Sequence, residues 1–141
     1  MKAVAVLSQL RAILRAEAEN HGVRVTKWLG DGAMLSGVEA HDVMACAVAV
    51  SERMGVEGEL PLRGGVSEGP VIMFEGDDYI GDAVNRAARL CQVARPGQIL
   101  VTEETAPQAP DGAAGRRLPA VWAPGLSVPV DVRELVRAPA A

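Results

Sequence analysis

The first residues whose types and spacing could do chemistry lie in Val23-Arg24-Val25-Thr26-Lys27-Trp28-Leu29-Gly30-Asp31-Gly32-Ala33-Met34-Leu35. This stretch reads as a strand, a sharp Gly-Asp-Gly turn and a returning strand. Glycines on both sides of an acid allow backbone angles that other residues resist, so the turn can push Asp31 out at a sheet edge, where a carboxylate can ligate a metal. Asp-Gly is also the strongest short hairpin signal, and turn chemistry alone accounts for the pattern. Strict alternation puts Val23, Val25, Lys27 and Leu29 on one face and Arg24, Thr26 and Trp28 on the other. Lys27 then shares a face with apolar residues, which raises the question of what its ammonium touches. A stem lying along the sheet with its head in water is the commoner arrangement. Further on, Asn85 and Arg89 stand four apart on an expected helix and project together. An amide beside a guanidinium suits a sugar oxygen and a phosphate; a solvated helix face is the alternative.

The elements that must position these residues follow from periodicity and punctuation. Val4, Leu7, Leu10, Ile13 and Leu14 recur at helical spacing over residues 4–19, with Arg11, Arg15, Glu17 and Glu19 largely on the other face, and Asn20-His21-Gly22 supplies the stop. A second, alanine-rich helix covers 40–54 and ends at Gly55. Residues 60–67 form the next strand, whose paired Gly64 and Gly65 imply that another backbone or a ligand comes close. Glu68-Gly69-Pro70 turns it into 71–74, a second hairpin, and an acidic loop, 75–81, leads to a third helix over 82–93 capped by Asp82. Its buried stripe is expected to be Val84, Ala87, Ala88 and Cys91. Arg95-Pro96-Gly97 turns into a buried strand, 98–101, with Thr102 capping a brief helix through Thr105. Residues 106–117 read as a mobile loop, 118–122 as a strand, and 128–135 as a last strand placed at an edge because Pro129 cannot donate to a ladder. One domain is expected over 1–136, with a disordered tail at 137–141.

Composition narrows the function classes. The 141 residues are 49% hydrophobic and 23% charged, and a net charge of −4 argues against a nucleic-acid surface, so an anionic substrate would need local cations. Aromatics make up 3%, so small side chains must pack helix closely on sheet. The longest apolar run, 43–50, falls far short of the roughly 20 residues that span a bilayer. The apolar stretch after Met1-Lys2 is too short and too interrupted for a signal peptide and reads as a helix start. Cys46 and Cys91 sit among apolar neighbours on helices, in keeping with a reducing cytoplasm. His21 and His41 lack partners at zinc spacing.

The blocks Thr26-Lys27-Trp28-Leu29-Gly30-Asp31-Gly32, Leu62-Arg63-Gly64-Gly65-Val66-Ser67-Glu68-Gly69-Pro70-Val71 and Asp78-Tyr79-Ile80-Gly81-Asp82-Ala83-Val84-Asn85-Arg86-Ala87-Ala88-Arg89-Leu90 resemble the signature segments of class III nucleotidyl cyclases, adenylyl type. Ala94-Arg95-Pro96-Gly97-Gln98-Ile99-Leu100-Val101 is similar to a further segment of that family, and the likeness extends over 4–135. The resemblance implies an α+β, palm-like (ferredoxin-like βαββαβ) fold and a homodimer, or a heterodimer with another cyclase-homology domain, with active sites at the interface. It implies conversion of ATP to 3′,5′-cyclic AMP and pyrophosphate by two Mg²⁺ or Mn²⁺ ions. On this likeness Asp31 matches a metal ligand, Lys27 and Asp78 the pair that reads adenine, Asn85 the residue that orients the ribose, and Arg89 the one that stabilises charge on the transferring phosphate.

Two departures accompany the resemblance. The family's first strand, which carries the other metal aspartate and is central to the sheet, has no counterpart before the first helix, so its neighbours should expose unpaired backbone. Pro124 stands where the family has a lysine for the terminal phosphates, leaving Arg116 or Arg117 as possible substitutes. The alternative reading is a catalytically degenerate cyclase-homology module that binds nucleotide weakly or regulates a partner cyclase.

Overall fold

A computed structural model describes residues 2–56, 61–74, 78–122 and 128–138. Helix α1 (Lys2–His21) buries Leu10, Ile13, Leu14 and Ala18, the stripe its spacing predicts. It ends where Gly22 adopts φ 66° and the amides of Gly22 and Val23 donate to the carbonyls of Glu19 and Ala18, a left-handed cap that turns the chain straight into strand β1 (Arg24–Trp28). β1 pairs antiparallel with β2 (Ala33–Ser36), and α2 (Ala40–Val56) follows.

Strand β3 (Gly64–Val66) pairs in parallel with β6 (Ile99–Thr102), the crossover between them carrying β4 (Ile72–Phe74), β5 (Asp78–Ile80) and helix α3 (Asp82–Val93). After a 3-10 turn at Ala106–Gln108 come β7 (Ala113–Arg117) and β8 (Val132–Arg137), giving the order β3-β6-β8-β7. Successive side chains of this sheet pack against helices on both faces, and β6 is buried along its whole length. Ile99, Val101, Leu135 and Val66 pack on Ala40 and Met44 of α2, whereas Leu100 and Val132 pack on Leu90 of α3 and Ala94. The other side of α2, through Cys46, Val50 and Met54, packs on α1 and the β1–β2 pair. One helix thus covers both sheets.

Several expectations change. β4 pairs with β5 rather than with β3, so the acidic loop contains a strand. The stretch expected as a mobile loop contains β7, whose poor strand formers are held by β8: Arg116 pairs with Glu134, and Arg133 donates to the Gly115 carbonyl at 3.1 Å while gripping Glu103 at 2.8 and 2.9 Å. β8 is internal rather than an edge, because it begins after Pro129 and so loses no ladder donor. The strand expected at 118–122 reduces to one bridge, Val121 to Val130. Thr102 ends a strand and shares a 2.7 Å hydroxyl contact with Thr105 instead of capping a helix. Residues 139–141 of the expected tail lie outside the described residues, and Arg137 belongs to β8.

Among the described residues the β1–β2 pair and the four-stranded sheet, which β3 ends, share no ladder, and α2 packs against both.

Glu17, expected on the solvent face, is instead buried between the helices. Its carboxylate accepts from Arg53 of α2 at 3.0 Å, and that bond holds its pKa below the ordinary 4.5 against the opposing effect of burial. His21 spends Nδ1 on the Glu17 carbonyl at 2.8 Å. A carboxylate with a depressed folded pKa stabilises fully above its unfolded value, and the contribution drains as pH falls through the folded one. We therefore expect Glu17→Gln to cost about 1–2 kcal/mol in urea unfolding at pH 7. That deficit should shrink steadily below pH 4.5.

Candidate functional site

The β1–β2 pairing is not regular. Val25 faces Leu35, but Lys27 faces Met34, so Thr26 is an extra residue in β1. This overturns the strict alternation expected for the strand. Val25 and Trp28 both pack on the α1 side, and the Trp28 ring carries the guanidinia of Arg11 and Arg15 at 5.2 and 5.0 Å from its centroid. Lys27, next to Trp28, points to the opposite face and is exposed.

The Leu29 amide donates to the Gly32 carbonyl at 2.9 Å, making Gly30 and Asp31 the central pair of the turn with Asp31 exposed. The glycines do not serve the purpose expected of them. Neither Gly30 nor Gly32 is among the positive-φ glycines, and a Cβ added to either meets nothing within 4 Å. What they provide is bare space around the carboxylate. Among the described residues no group of three or more Asp, Glu, His or Cys is placed to hold a metal, so Asp31 offers one carboxylate and no complete cage.

Helix α3 is set by its contact with β3. A Cβ on Gly65 would lie 2.6 Å from the Cys91 nitrogen and closer still to the Ala87 carbonyl oxygen, so strand backbone rests directly on helix backbone, as the paired glycines imply. The buried residues of α3 are accordingly Ala83 and Leu90, with Ala88 exposed, rather than the expected Val84 and Ala88 stripe. Gly81, not Asp82, is the N-cap: its φ is 152°, and an added Cβ would meet the Pro70 carbonyl oxygen at 2.8 Å. Arg86, unremarked in the sequence, ties the helix to the segment after β3 through Ser67 at 3.2 Å and the Glu68 carbonyl at 3.4 Å.

Asn85 is exposed, and Arg89 lies beside it with Nη1 on Gln92 at 3.1 Å. At 3.6 residues per turn these two stand on the side of α3 opposite Ala87, Leu90 and Cys91. Asp31 stands on a separate element, at the tip of the β1–β2 turn. Burial raises the pKa of the Cys91 thiol; Arg63 opposes that, and the Asp31 charge adds to it. Asn85 and Arg89 are therefore brought together on α3, whereas Asp31 belongs to the β1–β2 turn. The backbone of Asp78 opens β5 opposite Phe74, and the placement of its side chain lies outside the described residues. Pro124 also lies outside them, and Arg116 is engaged by Glu134. Two surface hollows among the described residues are lined by Val48, Ile99 and Leu135 and by Glu103, Pro107 and Arg133, and neither includes Lys27, Asp31, Asn85 or Arg89.

No protein-family model matches the chain. Over 107 residues, 75% of its length, it is 33% identical to an uncharacterized protein of Mycobacterium tuberculosis, and the match spans 28% of that protein. It is 32% identical over 105 residues, 70% of the chain, to the Rhizobium meliloti protein named "Putative adenylate cyclase 3", of which the match spans 18%. The chain thus spans well under half the length of these relatives. Among solved structures it is similar to the adenylyl cyclase CyaB from P. aeruginosa, with TM-score 0.83, 22% identity, and 96% of this chain and 83% of that one covered. It is also similar to the catalytic core of a rhodopsin-guanylyl cyclase with converted specificity in complex with ATPαS, with TM-score 0.81, 21% identity and coverages of 95% and 82%. Among the described residues no helix is long and apolar enough to cross a membrane.

The glycines separate positions kept for space from those kept for packing. Gly30→Ala and Gly32→Ala should each change stability by under about 1 kcal/mol, since only the unfolded chain is affected. Gly65→Ala should cost at least about 2–3 kcal/mol, because helix and strand backbones must part. Urea unfolding midpoints check both.

Proposed function

We propose that the chain, which belongs to the class III nucleotidyl cyclase catalytic-domain family, converts ATP to 3′,5′-cyclic AMP and pyrophosphate at a site shared between two cyclase domains. The observation that carries this reading is that exposed Asn85 and neighbouring Arg89 project together from α3 while exposed Asp31 tips a separate element, the β1–β2 turn. In this reading one domain offers each set to a neighbour rather than both sets to one nucleotide. A second copy is the simplest neighbour. The isolated β4–β5 hairpin supports that choice, since it leaves Val71, Ile72, Met73 and Ile80 42%, 66%, 50% and 48% exposed, an apolar patch of the kind that protein contacts cover.

In this reading the ribose 3′-oxygen forms a bond to the α-phosphorus while the bond from that phosphorus to the bridging oxygen breaks, the hydroxyl proton passing to solvent and pyrophosphate leaving. Arg89, once released from Gln92, meets the charge on the phosphoryl oxygens, and Asn85 holds the ribose. Lys27 donates to a ring nitrogen of adenine and Asp78 accepts from its exocyclic amine, a pair that favours ATP over GTP. Mg²⁺ or Mn²⁺ supplies Lewis-acid charge neutralisation. Asp31 would be the residue that holds such an ion, together with oxygens of the triphosphate and water.

A shared site makes a specific prediction. Asp31→Ala and Arg89→Ala should each lower cyclic AMP formation from ATP with Mn²⁺ by on the order of 10²-fold or more. Mixing the two variants should restore about a quarter of the native rate, because half the dimers then hold one intact site. Absence of recovery on mixing would refute the shared site. Unchanged activity in Asp31→Ala would refute its metal role. Lys27→Glu should lower the use of ATP relative to GTP, and an unaltered preference would remove the base-reading assignment.

A further inference from the structure

The extra residue in β1 decides two placements at once. With Val25 opposite Leu35, a regular ladder would continue through Lys27 opposite Ala33 and Leu29 opposite Asp31, leaving Gly30 as a one-residue loop, which a hairpin cannot close. The observed pairs, Lys27 with Met34 and Trp28 with Ala33, shift the register so that Gly30 and Asp31 become the two-residue turn. The same shift moves Trp28 to the apolar side, where it packs on the α1 cluster and under Arg11 and Arg15, and turns Lys27 to the open face. Without it, the ammonium would face Leu10, Ile13 and Leu14 across the strand, where a charge is costly.

Thr26 is the inserted residue. It is 6% exposed, and its hydroxyl donates to the Met34 carbonyl at 2.9 Å, from within the bulge to the partner strand at the point where the register changes. We propose that Thr26 is a positioning residue for the site. Its hydroxyl latches the bulge that aims Lys27 at the base and sets Asp31 at the tip of the turn. The inference rests on the cyclase reading for what Lys27 and Asp31 then do, while the latch itself is a property of the hairpin. Arg11 and Arg15 stack on Trp28 two residues further along, a second restraint on the same strand end.

The test compares Thr26→Val, which keeps the shape and removes the donor, with Thr26→Ser, which keeps the donor. Two measurements are made: cross-strand NMR contacts reporting the β1–β2 register, and the kcat/KM ratio for ATP over GTP with Mn²⁺, with KM and kcat separated. Thr26→Val should lose the offset between the Val25–Leu35 and Lys27–Met34 pairs and lower the ATP to GTP ratio about tenfold, roughly the worth of one well-made hydrogen bond. Thr26→Ser should keep both within about twofold of native. A merely structural threonine would lower the unfolding midpoint of both variants and leave the ratio alone, and that result overturns the proposal. So does a Thr26→Ser protein that loses selectivity, which decides the matter even if Thr26→Val fails to fold. If Lys27→Glu itself leaves the ratio unaltered, the base-reading assignment falls separately. The register then decides: its retention in Thr26→Val refutes the latch, and its loss supports it.

Discussion

The architecture depends on the contact of β3 backbone with α3 backbone at Gly65. Most helix–sheet contacts are mediated by side chains that can repack, but here the main chains meet with no side chain between them, so the helix has little freedom to roll or slide. Everything α3 carries takes its direction from that contact. Leu90 and neighbouring Ala94 are driven onto Leu100 and Val132, Cys91 comes under the charge of Asp31, and Asn85 and Arg89 are forced outward. Gly81 enforces the same closeness at the helix start, where its missing Cβ admits the Pro70 carbonyl. The low aromatic content fits this construction, since bulky side chains would hold the layers apart.

Helix α2 has the complementary task of bridging. It packs one flank against the β1–β2 pair and the other against the four-stranded sheet, so two sheets that share no hydrogen bonds among the described residues are held by one apolar helix. Arg53 near its end reaches Glu17 and adds a directional tie to α1 that apolar packing lacks.

The helices were legible in the sequence because their signals are local: apolar spacing, a glycine stop, and the motif blocks that placed Asn85 and Arg89 on one face. The same blocks made the fold family readable despite low identity to the solved structures. What local pattern could not supply is pairing. β7 is written in Ala-Ala-Gly-Arg-Arg, which has no strand propensity worth the name; it exists because Arg133 and Glu134 on the next strand supply partners. Pro129 marked an edge only on the assumption that it lay inside the strand. The face of Lys27 was misread because alternation was counted straight through Thr26. The signal was available in principle: a two-residue Gly-Asp turn and an apolar Val25 opposite Leu35 cannot both be met without one extra residue.

If, as proposed, Asp31 and the Asn85–Arg89 pair of one site come from two different chains, the arrangement has a kinetic consequence. A catalyst whose two halves must come from separate chains has no intramolecular route to a complete site, however flexible its loops. Output per chain then follows the fraction of chains that are paired, rising with concentration and vanishing on dilution. Any segment that tethers two such domains or holds them apart governs turnover through effective concentration alone, with no change of conformation inside either domain.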